Sequence, residues 1–123
     1  MRVLLTGSAG FIGSAVGKAL GAAGHEVVPV DAMLDLAHGA TAPPPGTHQV
    51  DVRDAARWTD LLRGVDVVCH QAAVVGAGVR VAALPAYAGH NDLGTAALLA
   101  AMHEAGVPAL VLSSSMVVYG EGR

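Results

Sequence analysis

Short apolar runs and amphipathic stretches alternate along this chain from one end to the other. Val3-Leu4-Leu5 is an unbroken apolar run, the pattern of a strand buried on both faces. Phe11, Ile12, Val16, Ala19, Leu20 and Ala23 then recur at helical spacing, and Gly24 is placed to end that helix. Glu26 to Asp31 predicts a second strand. A short helical turn is expected over Met33-Leu34-Asp35-Leu36. The run Pro43-Pro44-Pro45-Gly46 excludes helix and central strand, so it predicts an edge loop. Gln49-Val50-Asp51-Val52 predicts a short third strand, and Asp54 an N-cap for a helix carrying Ala55, Trp58, Leu61 and Leu62 that Gly64 closes. Val65 to His70 predicts a fourth strand, followed by a Gly/Ala-rich segment, Gln71 to Gly78, with no readable period. A long helix is expected from about Ala86 to Ala105, closed by Gly106 and Pro108. Leu93, Ala96 to Leu99 and Met102 make it apolar almost all round, so it should be covered on two sides, by the sheet and by a partner subunit. Ala109 to Ser113 predicts the fifth strand.

Five strands separated by helices or crossovers predict an α/β fold. The sheet should be parallel and doubly wound, of the Rossmann type, with strand order 3-2-1-4-5 and one domain over residues 1–123. Ligands on such a sheet bind beyond the carboxyl ends of the strands, near the switch point between strands 1 and 4. The composition is 53% hydrophobic but only 3% aromatic, so the core must be built from Val, Leu, Ala and Ile. A net charge of -3 offers no electrostatic footprint for nucleic acid or an anionic membrane. The single Cys69 precludes an internal disulfide and fits a reducing cytoplasm. The apolar run after Arg2 is too short for a secretory signal, and no run is long enough to span a membrane. The six histidines show no ligand spacing, so no metal is expected. Cys69 reads as a small buried hydrophobe rather than a nucleophile, and Trp58 as the anchor of its helix.

The chemistry gathers at the strand ends. Thr6-Gly7-Ser8-Ala9-Gly10-Phe11-Ile12-Gly13 joins strand one to a helix through three glycines spaced three apart. Such a turn presents backbone N–H groups and a helix N-terminus to a pyrophosphate. Side chains at Gly7 or Gly10 would hold the phosphates away, and one at Gly13 would push the helix off the sheet. Asp31, ending strand two, stands where a carboxylate accepts from both hydroxyls of an adenosine ribose. It would repel a 2′-phosphate, and no Lys or Arg lies between Lys18 and Arg53, so the dinucleotide expected is NAD rather than NADP. The plain alternative is that Asp31 merely opens a solvated loop.

Further elements follow in order: Asp51-Val52-Arg53-Asp54, His70-Gln71-Ala72-Ala73, Asn91-x-x-Gly94-Thr95 and Ser113-Ser114-Ser115-x-x-x-Tyr119-Gly120. With the glycine turn and Asp31, this set resembles the extended short-chain dehydrogenase/reductases, specifically the nucleotide-sugar epimerases and dehydratases. The runs around His70, His90 and Tyr119 look most like the branch of 4-epimerases acting on dTDP-L-rhamnose. The resemblance implies that Asp51 and Val52 meet the adenine, Asp51 accepting from its amino group. Gln71, Ala72 and Ala73 would line the pyrophosphate and nicotinamide ribose, with Asn91 near the ribose side. Ser113 and Ser115 would flank the nicotinamide, alternation placing them on one face. Ser115 matches the family serine that bonds the reacting sugar oxygen. Each has a plainer alternative: a helix-capping or turn acid at Asp51, a small-residue loop at 71–73, a solvated polar residue at Asn91, and serines satisfying a strand end at 113 and 115.

The resemblance also implies a general acid/base pair, a Tyr followed four residues on by Lys, the Lys charge lowering the Tyr pKa. The only lysine is Lys18. Tyr119 is followed at that spacing by Arg123, but Gly120 and Gly122 oppose a helix there; Tyr87 is followed by Asn91. Neither fits the role. The expectation is therefore the cofactor part of a longer enzyme, cut after strand five, acting on a dTDP- or UDP-sugar as a homodimer. The rival expectation is a stand-alone, non-catalytic dinucleotide-binding protein.

Overall fold

The structure, a computed structural model, describes residues 1–76 and 80–120. Part of the unpatterned Gln71 to Gly78 segment lies outside the described residues, as does Arg123. Strands β1 (Arg2–Thr6), β2 (Glu26–Asp31), β3 (His48–Gln49), β4 (Val67–His70) and β5 (Leu110–Leu112) form one sheet in the order β3-β2-β1-β4-β5. Every pairing is parallel, and this is the order expected from the sequence. β1 pairs with β2 on one side and β4 on the other, so the strand order reverses at its carboxyl end, where a crevice opens.

Central position explains the unbroken apolar run of β1, because both its faces are covered. Leu4 joins Val28, Val30 and Val68 against Val52, Ala55, Trp58, Leu62 and a helix contributing Leu98, Ala101 and Met102. Val3 and Leu5 join Cys69 on the opposite face, where Val16 and Leu20 of α1 (Phe11–Ala22) pack. Gly24, at φ +80, follows the last turn of α1, and the His25 N–H returns to the Leu20 carbonyl. Among the described residues no helix is long and apolar enough to cross a membrane.

Several expectations need correction. The third strand is only His48–Gln49, because the Asp51 carboxylate accepts the Arg53 N–H at 2.8 Å and starts a 3-10 helix over Val52–Arg57. Asp51, not Asp54, is therefore the cap; Asp54 sits at a kink before a second 3-10 turn, Thr59–Leu62. Trp58 anchors this region, its Nε1 donating to the Asp51 carbonyl at 2.8 Å. The turn expected at Met33–Leu36 forms two residues later as α2 (Asp35–His38), since Met33 takes φ 53 and gives its N–H to Asp31.

The long helix is segmented. A 3-10 turn (Val81–Ala83), α3 (Leu84–Tyr87) and a π-helical stretch (Ala88–Leu93) precede α4 (Gly94–Ala105), which ends at Gly106 with φ 71. A Cβ on Gly94 would stand 2.8 Å from Val52 Cγ2, so the bare residue lets α4 close onto the 3-10 helix. One apolar side of α4 faces the sheet, while Leu93 and Leu99 remain exposed. β5 is shorter than predicted, so Ser113–Ser115 follow the paired strand and the alternation expected of them does not extend that far.

Candidate functional site

A cleft of about 530 Å³ lies beyond the carboxyl ends of β1, β2 and β4, within the size range of small-molecule sites. Its floor is the glycine turn. Gly7, with φ +65, packs so tightly on the loop after β4 that a Cβ there would stand 2.7 Å from the Ala72 nitrogen. A Cβ on Gly13 would collide with the Gly7 carbonyl oxygen. These two glycines are thus demanded by the protein's own backbone, a closer constraint than the phosphates and sheet named from the sequence. Gly10 differs: the nearest atom to its Cβ would be the Gly7 carbonyl oxygen at 3.3 Å, and it otherwise opens to the cleft. Gly10 also begins α1 without any side-chain cap. Phe11, Ile12 and Gly13, the first turn of α1, line the cleft, and a helix N-terminus gives it an electropositive end.

A buried hydroxyl fixes the neighbouring wall. Thr6 Oγ1 accepts from the Gln71 and Ala72 N–H groups, each at 3.1 Å, and meets His70 Nδ1 at 2.6 Å. With both lone pairs engaged, the Thr6 proton goes to Nδ1, so Nε2 carries the imidazole hydrogen and donates to Thr95 Oγ1 at 3.0 Å. His70 is almost fully buried, and burial pushes its pKa below the ordinary histidine value. The result is a neutral imidazole that aligns residues 71 and 72 beside the turn.

Two carboxylates mark the opposite wall. Asp31, 7% exposed, accepts the Ala9 N–H at Oδ2 (2.9 Å) and the Met33 N–H at Oδ1 (2.8 Å). It therefore ties the glycine turn to the end of β2, and the residue lines the cleft. Asp51 lines the cleft with Val52 and is held by Arg53, whose Nη2 stands 2.7 Å from Oδ2. Burial alone would raise the Asp51 pKa, but the hydrogen bonds and charge of Arg53 outweigh it and hold the carboxyl below its usual range. The capping alternative considered for Asp51 is realised in its geometry, alongside a place on the cleft wall.

Gln71, Ala72 and Ala73 also line the cleft. Asn91 does not: its Oδ1 accepts the Val74 N–H at 2.8 Å and its Nδ2 donates to the Val74 carbonyl at 3.0 Å. It straps the loop after β4 in place from the π-helical stretch. Ser113 lies outside the lining but donates to Gln71 Oε1 at 2.6 Å; Ser115 is exposed and also outside it. Among the lining residues to which sequence reasoning assigned no role are the two titratable ones, His38 and His90. His90 donates through Nδ1 to the Ala86 carbonyl, 2.8 Å away, with Nε2 3.8 Å from Asp51. His38 lies in no readable motif and His90 carries no assigned role within its run; only the folded path of the chain brings them to the wall.

With this geometry in hand, the chain can be set beside known proteins. The NAD dependent epimerase/dehydratase family matches residues 3–123, and the chain belongs to that family. It is 34% identical to dTDP-L-rhamnose 4-epimerase of Burkholderia thailandensis over 98% of its own length and 36% of that protein's. It is 35% identical to a UDP-glucose 4-epimerase of Klebsiella pneumoniae, covering 94% of that sequence. Among solved structures, the UDP-glucose-4-epimerase of Stenotrophomonas maltophila, crystallised with NAD and formylated UDP-arabinopyranose, superposes with a TM-score of 0.86 at 38% identity. The superposition covers 99% of this chain and 39% of that one. The chain thus spans little more than a third of the length of several relatives it matches.

Proposed function

We propose that this chain is the NAD-holding domain, residues 1–123, of a nucleotide-sugar 4-epimerase. The observation that carries the reading is the pairing of an uncapped helix N-terminus with a buried carboxylate, linked through the Ala9 N–H to Asp31. The donor and acceptor types along the cleft support an adenine dinucleotide. Gly7, Gly10, Phe11, Ile12 and Gly13 take the pyrophosphate, Asp31 the adenosine ribose hydroxyls, and Asp51 with Val52 the adenine. Gln71, Ala72 and Ala73 border the nicotinamide half, with Ser113 behind Gln71 and Asn91 bracing the loop.

When bound, NAD supplies reversible hydride acceptance, the redox capacity that inversion at sugar C4 through a 4-keto intermediate requires. The chain's own contribution is to orient the dinucleotide and, through Ser115, to bond the C4 oxygen of a dTDP- or UDP-sugar. Proton transfer needs a Tyr-x-x-x-Lys pair that these 123 residues do not contain, Lys18 being the one lysine. The exposed Leu93 and Leu99 support a homodimer, and the single cysteine supports a cytoplasmic setting. A second reading, a dehydratase or reductase acting on a related sugar, is favoured by the breadth of the matched family.

Calorimetric titration of the purified chain with NAD should give saturable one-to-one binding, with no epimerase turnover on UDP- or dTDP-sugars. Absence of binding would overturn the cofactor reading; turnover by these residues alone would overturn the catalytic one.

A further inference from the structure

The expectation of NAD rather than NADP rested on Asp31 and on the lack of Lys or Arg between residues 18 and 53. The fold supplies a different cation to that place. After β2 the chain turns sharply at Met33 into α2, whose last residue, His38, comes back to the end of β2. His38 Nε2 stands 3.3 Å from Asp31 Oδ1, with both side chains largely buried and both lining the cleft. Each Asp31 oxygen already accepts one backbone N–H, from Ala9 and Met33. Among the described residues, His38 is the side chain within ion-pair distance of Asp31. The other titratable groups on the cleft walls act elsewhere: Asp51 is paired with Arg53, and His90 lies nearest Asp51. Asp35, in the first turn of α2, is exposed. The net charge at the ribose edge therefore turns on one imidazole.

We propose that His38 is a specificity-determining residue that makes the ribose edge a conditional acceptor of 2′-phosphorylated dinucleotides. With the imidazole protonated, the Asp31–His38 pair has no net charge and no longer repels a 2′-phosphate. With it neutral, the Asp31 carboxylate alone faces that group and repels it. The cleft thus takes NAD throughout and admits NADP toward acid. This rests on the reading that the cleft holds a dinucleotide.

The test is the ratio of NADP to NAD affinity, measured by calorimetry at about pH 5.5 and about pH 8, across the range where imidazoles change charge. The 2′-phosphate itself loses charge near pH ~6, so the readout is the wild-type response compared with that of His38→Gln. Between about pH 8 and about pH 5.5, the ratio should shift toward NADP about tenfold more in the wild type than in His38→Gln. His38→Arg, permanently charged, should favour NADP at both pH values and check the charge argument independently of the glutamine variant. Equal pH responses in wild type and His38→Gln, or an Arg variant that still rejects NADP, would overturn the proposal while leaving NAD binding intact. Failure of the wild type to bind either nucleotide would overturn the cofactor reading and this inference with it.

Discussion

The two ends of the cleft are built to different degrees. At the β1–β2 end, where the adenosine is proposed to lie, both carboxylates and the turn are pinned: Asp31 by two backbone N–H groups, Asp51 by Arg53, and the turn by Gly7 packed on Ala72. At the far end, β5 contributes three residues, with Val111 and Leu112 each more than half exposed, and the serines that follow are exposed too. The cleft near β1 and β2 is therefore shaped by local backbone geometry. The β5 end rests on side chains at an open strand exit.

The largest effect that would break the comparison falls on the turn. Gly13→Val drives side-chain atoms into the Gly7 carbonyl, and should cost about 3 kcal/mol or more and abolish NAD binding. A variant that melts and binds like wild type would show that the turn is not rigid. Asp31→Ala should weaken NAD binding roughly 10- to 100-fold by calorimetry, as charge-assisted bonds to the ribose are lost. An unchanged dissociation constant would mean that the adenosine end is not where the ribose lies.

The wall between the ends should respond to pH. Burial lowers the folded-state pKa of His70, so the unfolded chain takes up its proton first as pH falls. Stability from the neutral imidazole is therefore fully present above about pH 6.5 and declines as pH drops through the window below it. Denaturant unfolding at a series of pH values, with His70→Gln as reference, measures this; a parallel profile in that variant would assign the acid sensitivity elsewhere. The smallest effect belongs to the open end. Ser113→Ala should leave stability within about 0.5 kcal/mol of wild type and NAD affinity nearly unchanged. A large loss there would show that the far end is more tightly built than its exposure suggests.

What the sequence made legible follows the same division. Apolar runs located β1, β2 and β4, and their alternation with helices gave the strand order, because buried parallel strands leave an unambiguous pattern. The glycine turn and Asp31 were readable because a strained turn and a strand-end acid leave few residue choices. The path from Gln49 to Leu62 was misread because Asp51 pulls the backbone into a 3-10 turn, a local bond that competes with the ladder and leaves no period. The segmentation before α4 was hidden since a π-helical stretch differs from an α-helix in its backbone hydrogen bonds, which the choice of side chains does not announce. Asn91 was read as facing a ribose, yet its amide is spent on Val74, a tertiary contact that no spacing announces. The places of His38 and His90 on the cleft wall were hidden for the same reason.

One consequence of the Thr6 hydroxyl concerns the order in which the molecule can be made. That oxygen waits for N–H groups 65 and 66 positions later in the chain, and Gly7 rests on the same distant backbone. A segment that leaves the ribosome well before β4 thus settles only after it. A nascent chain should gain affinity for NAD only once β4 and the residues just past it have cleared the exit tunnel.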